Sequence, residues 1–237
     1  MCIRDSYTRV MLEIEKASDY QYTCLKIGIN PLFLSSILTP AILQLIERKP
    51  NLRFELIEKS DIENQRLLDN NELNFAFLVD SNIPNSNSYE KVKIYSDQLS
   101  LFLDKKHPLV KKKHPISWTD LSNLNVAIAN SNFTIHKQTI QKFADYQIKP
   151  NIMIQGATSS YLLQAVKHTD VVTILPKPVQ SNLFSDDIVV INFDDPLKWE
   201  VSMVYPKKEH RSSSEKYFIK HIQTFFNKKN DPHYLVP

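Results

Sequence analysis

Short apolar stretches of strand length recur along this chain, and most are separated by stretches whose apolar residues repeat at helical spacing. Residues 24–29 read as a strand, and Pro31 with residues 34–48 as an apolar-periodic helix stopped by Lys49-Pro50. Residues 52–58 alternate like a strand, and Asp61 caps a helix running to about residue 70. Residues 73–79 are almost continuously apolar, as in a strand covered on both faces. This order predicts a mostly parallel α/β sheet. Residues 80–89 read as loop, and 91–95 and 98–104 as two further strands. Beyond an irregular stretch at 105–123, with a helical turn at 118–121, a second unit begins. It reads as strand 125–129, helix 134–146, strand 152–155, helix 158–166 and strand 171–175. Strands 188–193 and 199–205 and an amphipathic helix over 212–227 close the chain. The expectation is α/β: two Rossmann-like lobes joined by two crossing strands, with a hinged cleft between them.

Composition removes several function classes. The chain has 2 glycines among 237 residues, where ordinary usage of ~7% gives about 17. Gly28 and Gly156 cannot write a phosphate-binding loop, a dinucleotide fingerprint or a nucleophile elbow. Lys plus Arg exceed Asp plus Glu by 29 − 26 = 3, too little for a dedicated nucleic-acid binder. Cys2 and Cys24 form no C-x-x-C pair, so neither a disulfide framework nor a thiolate metal site is expected. No apolar run reaches the ~18–20 residues that span a bilayer, and no apolar signal core stands at the start, which fits a cytoplasmic chain. Residues 1–6 look unrelated to the rest of the chain and read as a non-native start. Residues 7–20 place Tyr7, Val10, Met11, Ile14 and Ala17 at helical spacing. A partner helix or an upstream domain would explain that stripe, and so would a frayed terminal helix.

In open α/β sheets ligands bind beyond the carboxyl ends of strands, at helix N-termini. That rule selects four segments: Asn30, Pro31, Leu32 and Phe33; Ser60 and Asp61; Asn130, Ser131 and Thr134; Gly156, Thr158 and Ser159. Three offer amides or hydroxyls beside backbone N–H groups, which suits a carboxylate or a polar metabolite. Helix capping alone would also account for Asp61, Thr134 and Thr158. Asp61 would repel a carboxylate and no Arg falls in the four segments, so a zwitterionic or neutral ligand is as well served. Both glycines fall at the walls of this cleft, where backbone approaches a ligand closely. Lys105, Lys106, Lys111, Lys112 and Lys113 with His107 and His114 form a basic run that reads as a solvated loop. The seven histidines show no metal-ligand spacing, so no metal or other cofactor is expected. His168 and Asp170 could pair, with no nucleophile beside them. Asn132-Phe133-Thr134 matches the glycosylation pattern, which carries no meaning without secretion. Trp118 and Trp199 read as core.

Several of these stretches in combination resemble the effector-binding part of LysR-type transcriptional regulators. LKIGINP at 25–31 is similar to the family's first strand and ligand loop, and RKPNLRFELIE at 48–58 to its second strand. LLDNNELNFAF at 67–77 matches the place where the family writes a glycine and an "lD.ai" strand, with Asn74 for the Asp. LFLDKKHPL at 101–109 followed by ISWTDL at 116–121 resembles the family's "HPLA" crossing. The usual glycine turn before "LP" is absent, replaced by Val166-Lys167-His168-Thr169-Asp170. The resemblance covers about residues 7–228 and implies a type 2 periplasmic-binding-protein-like fold. It implies a remnant of linker helix at 7–20, lobe I at 24–98 and 205–228, lobe II at 99–204, and a tail at 229–237. It further implies a small-molecule effector in the inter-lobe cleft and assembly as a homodimer or tetramer. DNA would be reached only through an N-terminal helix-turn-helix missing from this chain, and neither catalysis nor membrane contact is implied. Two rivals share the fold: a transporter's solute-binding protein and a small-molecule enzyme using the same cleft.

Overall fold

A computed structural model describes residues 23–33, 37–83, 87–112, 115–182 and 186–228. The helix expected over 7–20, the start at 1–6, the tail at 229–237, Lys113 and His114 lie outside the described residues. A first group of elements comprises β1 (Thr23–Ile29), α1 (Thr39–Arg48), β2 (Leu52–Glu58), α2 (Asp61–Asp69) and β3 (Phe75–Val79). A second comprises β5 (Asn125–Ala129), α3 (Thr134–Asp145), β6 (Asn151–Gly156), α4 (Ser159–Val166) and β7 (Val171–Pro176). The long strand β4 (Tyr89–Asp104) lies between them, and β8 (Ile188–Asn192), β9 (Lys198–Pro206) and α5 (Ser213–Lys228) come after the second group.

The strands are hydrogen-bonded in the order β2-β1-β3-β9-β4-β7-β5-β6, with β8 also on β4. Inside each group the pairing is parallel, β1 with β2 and β3, and β5 with β6 and β7. The joints are antiparallel: β3 on β9, β9 on β4, and β4 on β7 and β8. β4 therefore serves both groups, running against β9 from Tyr89 to Gln98 and against β7 from Leu99. The two strands expected at 91–95 and 98–104 are this one strand of 16 residues. Ser96 and Asp97 interrupt the apolar pattern without turning the chain, because they stay paired with Glu200 and Trp199. The Ser96 hydroxyl also donates to Glu200 Oε1 at 3.2 Å.

Packing follows from the apolar faces. β3 is buried along its whole length, as a central strand covered on both faces must be. Phe33 stacks on Phe77 at 5.7 Å and meets Tyr95, Trp199 and Phe226 within 6.5 Å, which ties the turn after β1 to β3, β4, β9 and α5. In the second group Trp118 stacks on Phe193 at 4.2 Å and meets Phe143 edge-on at 5.5 Å. Both tryptophans are core residues, and losing a buried ring of this kind costs about 3–5 kcal/mol.

Neither glycine is used for conformational freedom. The described residues with positive φ are Asn71, Asn123, Gln147 and His168. Asn71 and Gln147 end α2 and α3 as the left-handed residue of paired return bonds. Asn71 and Glu72 donate to Leu68 and Leu67, and Gln147 and Ile148 to Ala144 and Phe143. His168 stands where the resembled family turns on glycine; Thr169 N–H reaches back to Val166, and the Asp104 carboxylate holds His168 N–H at 2.8 Å. The glycines answer a steric need instead. A Cβ on Gly28 would lie 2.5 Å from Leu73 Cδ1 and 2.7 Å from Asn64 Oδ1, so this position admits α2 close to β1. Gly156 would place one 2.9 Å from Tyr161 on α4. The close approach expected from a ligand is made by the protein's own side chains.

Gln147→Gly is expected to raise stability by about 0.5–1 kcal/mol, the left-handed strain outweighing the added unfolded-state freedom. A lower denaturant midpoint would contradict this. Gly28→Ala is expected to cost about 1–3 kcal/mol by overpacking, read from the same midpoints.

Candidate functional site

The two parallel groups run in opposite senses, so that the carboxyl ends of β1 and β2 face those of β5 and β6, and one carboxylate joins three of the four segments. Sequence reasoning makes Asp61 the cap of its own helix, and the structure assigns that task to Ser60. The Ser60 hydroxyl accepts Glu63 N–H while the Glu63 carboxylate accepts Ser60 N–H, a reciprocal capping box. Asp61 is thereby released from capping and points across to the second group. Its Oδ2 accepts the Thr134 hydroxyl at 2.6 Å and lies 3.5 Å from Asn30 Nδ2. Its Oδ1 accepts Val79 N–H at 3.2 Å. The carboxylate is 1% exposed. Burial pushes its pKa up, opposed by hydrogen bonds from Thr134, Val79 and Asn30.

Asn30 is fixed by its own loop, with Oδ1 accepting Leu32 N–H at 3.0 Å. Pro31, Leu32 and Phe33 form a short helical turn, and the Leu32 and Phe33 side chains go into the core beneath the site. Asn130 N–H donates to the Gly156 carbonyl at 2.9 Å, which holds the third and fourth segments together. Ser131 and Thr158 are exposed and Ser159 half-buried. Thr158 Oγ1 lies 3.3 Å from Ser160 Oγ rather than capping α4.

Three contributors escape the sequence reading. Val79 N–H is backbone and leaves no residue signature. Ser81, in a stretch expected to be featureless loop, accepts from Gln138 Nε2 at 3.2 Å and makes a second link from the first group to α3. Asp80 beside it accepts Ser202 Oγ at 2.5 Å and lies 3.2 Å from Lys91 Nζ. The strand-end rule that picks the other segments applies equally after β3 and would have found both.

Elsewhere the expected pair of His168 and Asp170 is not made. His168 Nδ1 lies 3.7 Å from Asp104 Oδ2, and Asp170 accepts from Asn125 Nδ2 at 2.8 Å. In the basic run Lys105 pairs with Asp187 and Lys112 with Asp120. Among the described residues no group of three or more His, Cys, Asp or Glu is arranged to hold a metal ion. Nor is any helix among them long and apolar enough to cross a membrane.

The raised pKa of Asp61 has a signed consequence. A carboxyl whose folded pKa lies above its ordinary 3.8 contributes its stability fully below that pH and loses it as pH rises through the folded value. Relative to Asp61→Asn, the wild type should lose stability as pH rises above about 3.8. Urea midpoints of the two proteins across a pH series test this, and a constant difference would refute it.

The chain matches the family described as LysR substrate binding domain over residues 23–227. A relative from Bacillus subtilis, the uncharacterized HTH-type transcriptional regulator YwbI, is 19% identical over 202 residues. That alignment covers 84% of this chain and 66% of the relative, just under two thirds of its length. The regulatory domain of CcmR from Synechocystis PCC6803, solved with 2-PG, superposes with a TM-score of 0.78 at 12% identity over 88% of this chain and 98% of that one. The effector binding domain of QuiR with shikimate gives 0.73 at 14% identity over 88% and 99%. The BenM effector binding domain with benzoate gives 0.72 at 17% identity over 90% and 98%. These likenesses establish the fold as the type 2 periplasmic-binding-protein-like α/β arrangement with a curled sheet.

Proposed function

The chain belongs to the LysR substrate binding domain family, and from that premise we propose that it is the effector-sensing and self-associating part of a transcription regulator. One observation carries the reading: the starts of α2 and α3, from the two parallel groups, meet through the Asp61–Thr134 hydrogen bond. Chemistry placed at that meeting point acts on both groups at once. A small molecule that exchanges hydrogen bonds with Asp61, Thr134 or Asn30 changes how the groups sit about β4 and β9. It shifts their equilibrium by no more than its differential affinity for the two arrangements. The lobes are assigned to residues 24–98 with 205–228, and to 99–204. The segments at Ser60, Asn130, Gly156 and Thr158 form the remaining wall of the cleft. Assembly as a homodimer or tetramer would carry the change onward, and contact with DNA falls to a helix-turn-helix outside residues 23–227. The site is assigned binding and no catalytic step, in the cytoplasm.

Calorimetric titration of the 237-residue chain with neutral, cationic and anionic metabolites is expected to return a saturable binder. Asp61→Asn, which replaces an acceptor at the meeting point with a donor, should weaken a hydrogen-bond-donating binder about tenfold or more. Absence of any binder in all three classes would overturn the reading.

A further inference from the structure

The first residue of α3 is Thr134, and the residue in the capping position before it is Phe133, whose side chain has nothing to accept a hydrogen bond. Twelve residues of helix thus begin with no side-chain cap from the residue before them, while His136 N–H turns back to the Phe133 carbonyl. A side-chain acceptor arrives from the other group. Asp61 takes both the Thr134 hydroxyl, at 2.6 Å, and the Thr134 backbone N–H. Val79 N–H from β3 and Asn30 Nδ2 from the turn after β1 complete a set made of neutral donors. The capping of α2 does not need Asp61, because Ser60 and Glu63 already satisfy it. A neutral donor set at the start of a helix is the arrangement by which proteins hold a ligand carboxylate. Here the chain holds its own.

We propose that Asp61 is a resident carboxylate: it fills the anion place at the start of α3 from within the chain, and so excludes carboxylate ligands from that end of the cleft. The effector that approaches this end is a hydrogen-bond donor, a hydroxyl, amide or amine, that competes with Thr134 for Asp61. A second carboxylate brought beside Asp61 would meet like charge with no cation in the donor set to offset it. The assignment rests on the effector-cleft reading and narrows the chemical class of its ligand.

Removing the carboxylate should open the place to a small anion supplied from solution. Thermal midpoints of the full chain are measured in sodium formate against sodium chloride at equal ionic strength. Asp61→Ala is expected to melt below the wild type and to be raised by formate, saturably and by about 2–4 °C. Chloride should not do this, and the wild type should show no formate-specific shift. Formate acting on Asp61→Ala no differently from chloride, or acting as strongly on the wild type, overturns the proposal. Should Asp61→Ala not fold, Asp61→Ser keeps an acceptor beside Val79 and Thr134 while leaving room for formate, and the same two outcomes decide. The effector reading stands or falls separately, on whether the wild type binds any member of the metabolite set.

Discussion

From Tyr89 to Gln98 β4 lies against β9, and from Leu99 to Asp104 against β7 and β8, without a break in the strand. Everything else in the molecule is hung on that change of partner. A one-residue slip in a strand moves every side chain to the opposite face, so the register of β4 fixes the facing of both parallel groups at once. The bulge between Lys93 and Tyr95 sits inside the same run. A bulge sharpens the local twist of a strand, and just past it Tyr95 joins the ring cluster with Phe33 and Trp199. The position of the helix starts, and with them the site, follows from this register.

The scarcity of glycine is resolved by a division of labour. Left-handed backbone is carried by Asn71, Asn123, Gln147 and His168, all exposed at helix ends or turns where a polar side chain stays in water. Asparagine tolerates that region because its short side chain bonds locally. His168 is helped by the Asp104 carboxylate on its N–H. The two glycines are kept where a side chain would collide with Asn64 and Leu73, or with Tyr161. The segment that departs most from the resembled family, 166–171, therefore makes the same turn by other means.

At the meeting of the two groups a buried carboxylate is committed to a long-range contact. Its acceptor capacity is met by the Thr134 hydroxyl, Val79 N–H and Asn30 amide, and for that reason it can sit at 1% exposure with no cation among these partners. Leaving any one of these donors or acceptors unmade inside the protein would cost about 1–3 kcal/mol. A contact of that size between the two groups is large enough to hold one arrangement.

Most of the fold was legible in the chain because it rests on local rules. The apolar run of β3, the helical spacing of α1 and α5 and the proline and lysine that stop α1 are all written within a few residues. The rule of strand ends likewise places Asn30, Asp61 and Thr134 just beyond the carboxyl ends of their strands without knowledge of any contact. What the sequence could not state is which side chain faces which, since Asp61 and Thr134 are 73 residues apart and their pairing depends on how β4 and β9 set the two groups. The sequence by itself determined an α/β chain of two parallel units with a polar rim at the strand ends. Only the tertiary structure decided that Ser60 caps α2, that Asp61 bonds to Thr134 at the start of α3, and that the glycines pack against protein. Those choices depend on distances between elements, and local pattern contains no information about them.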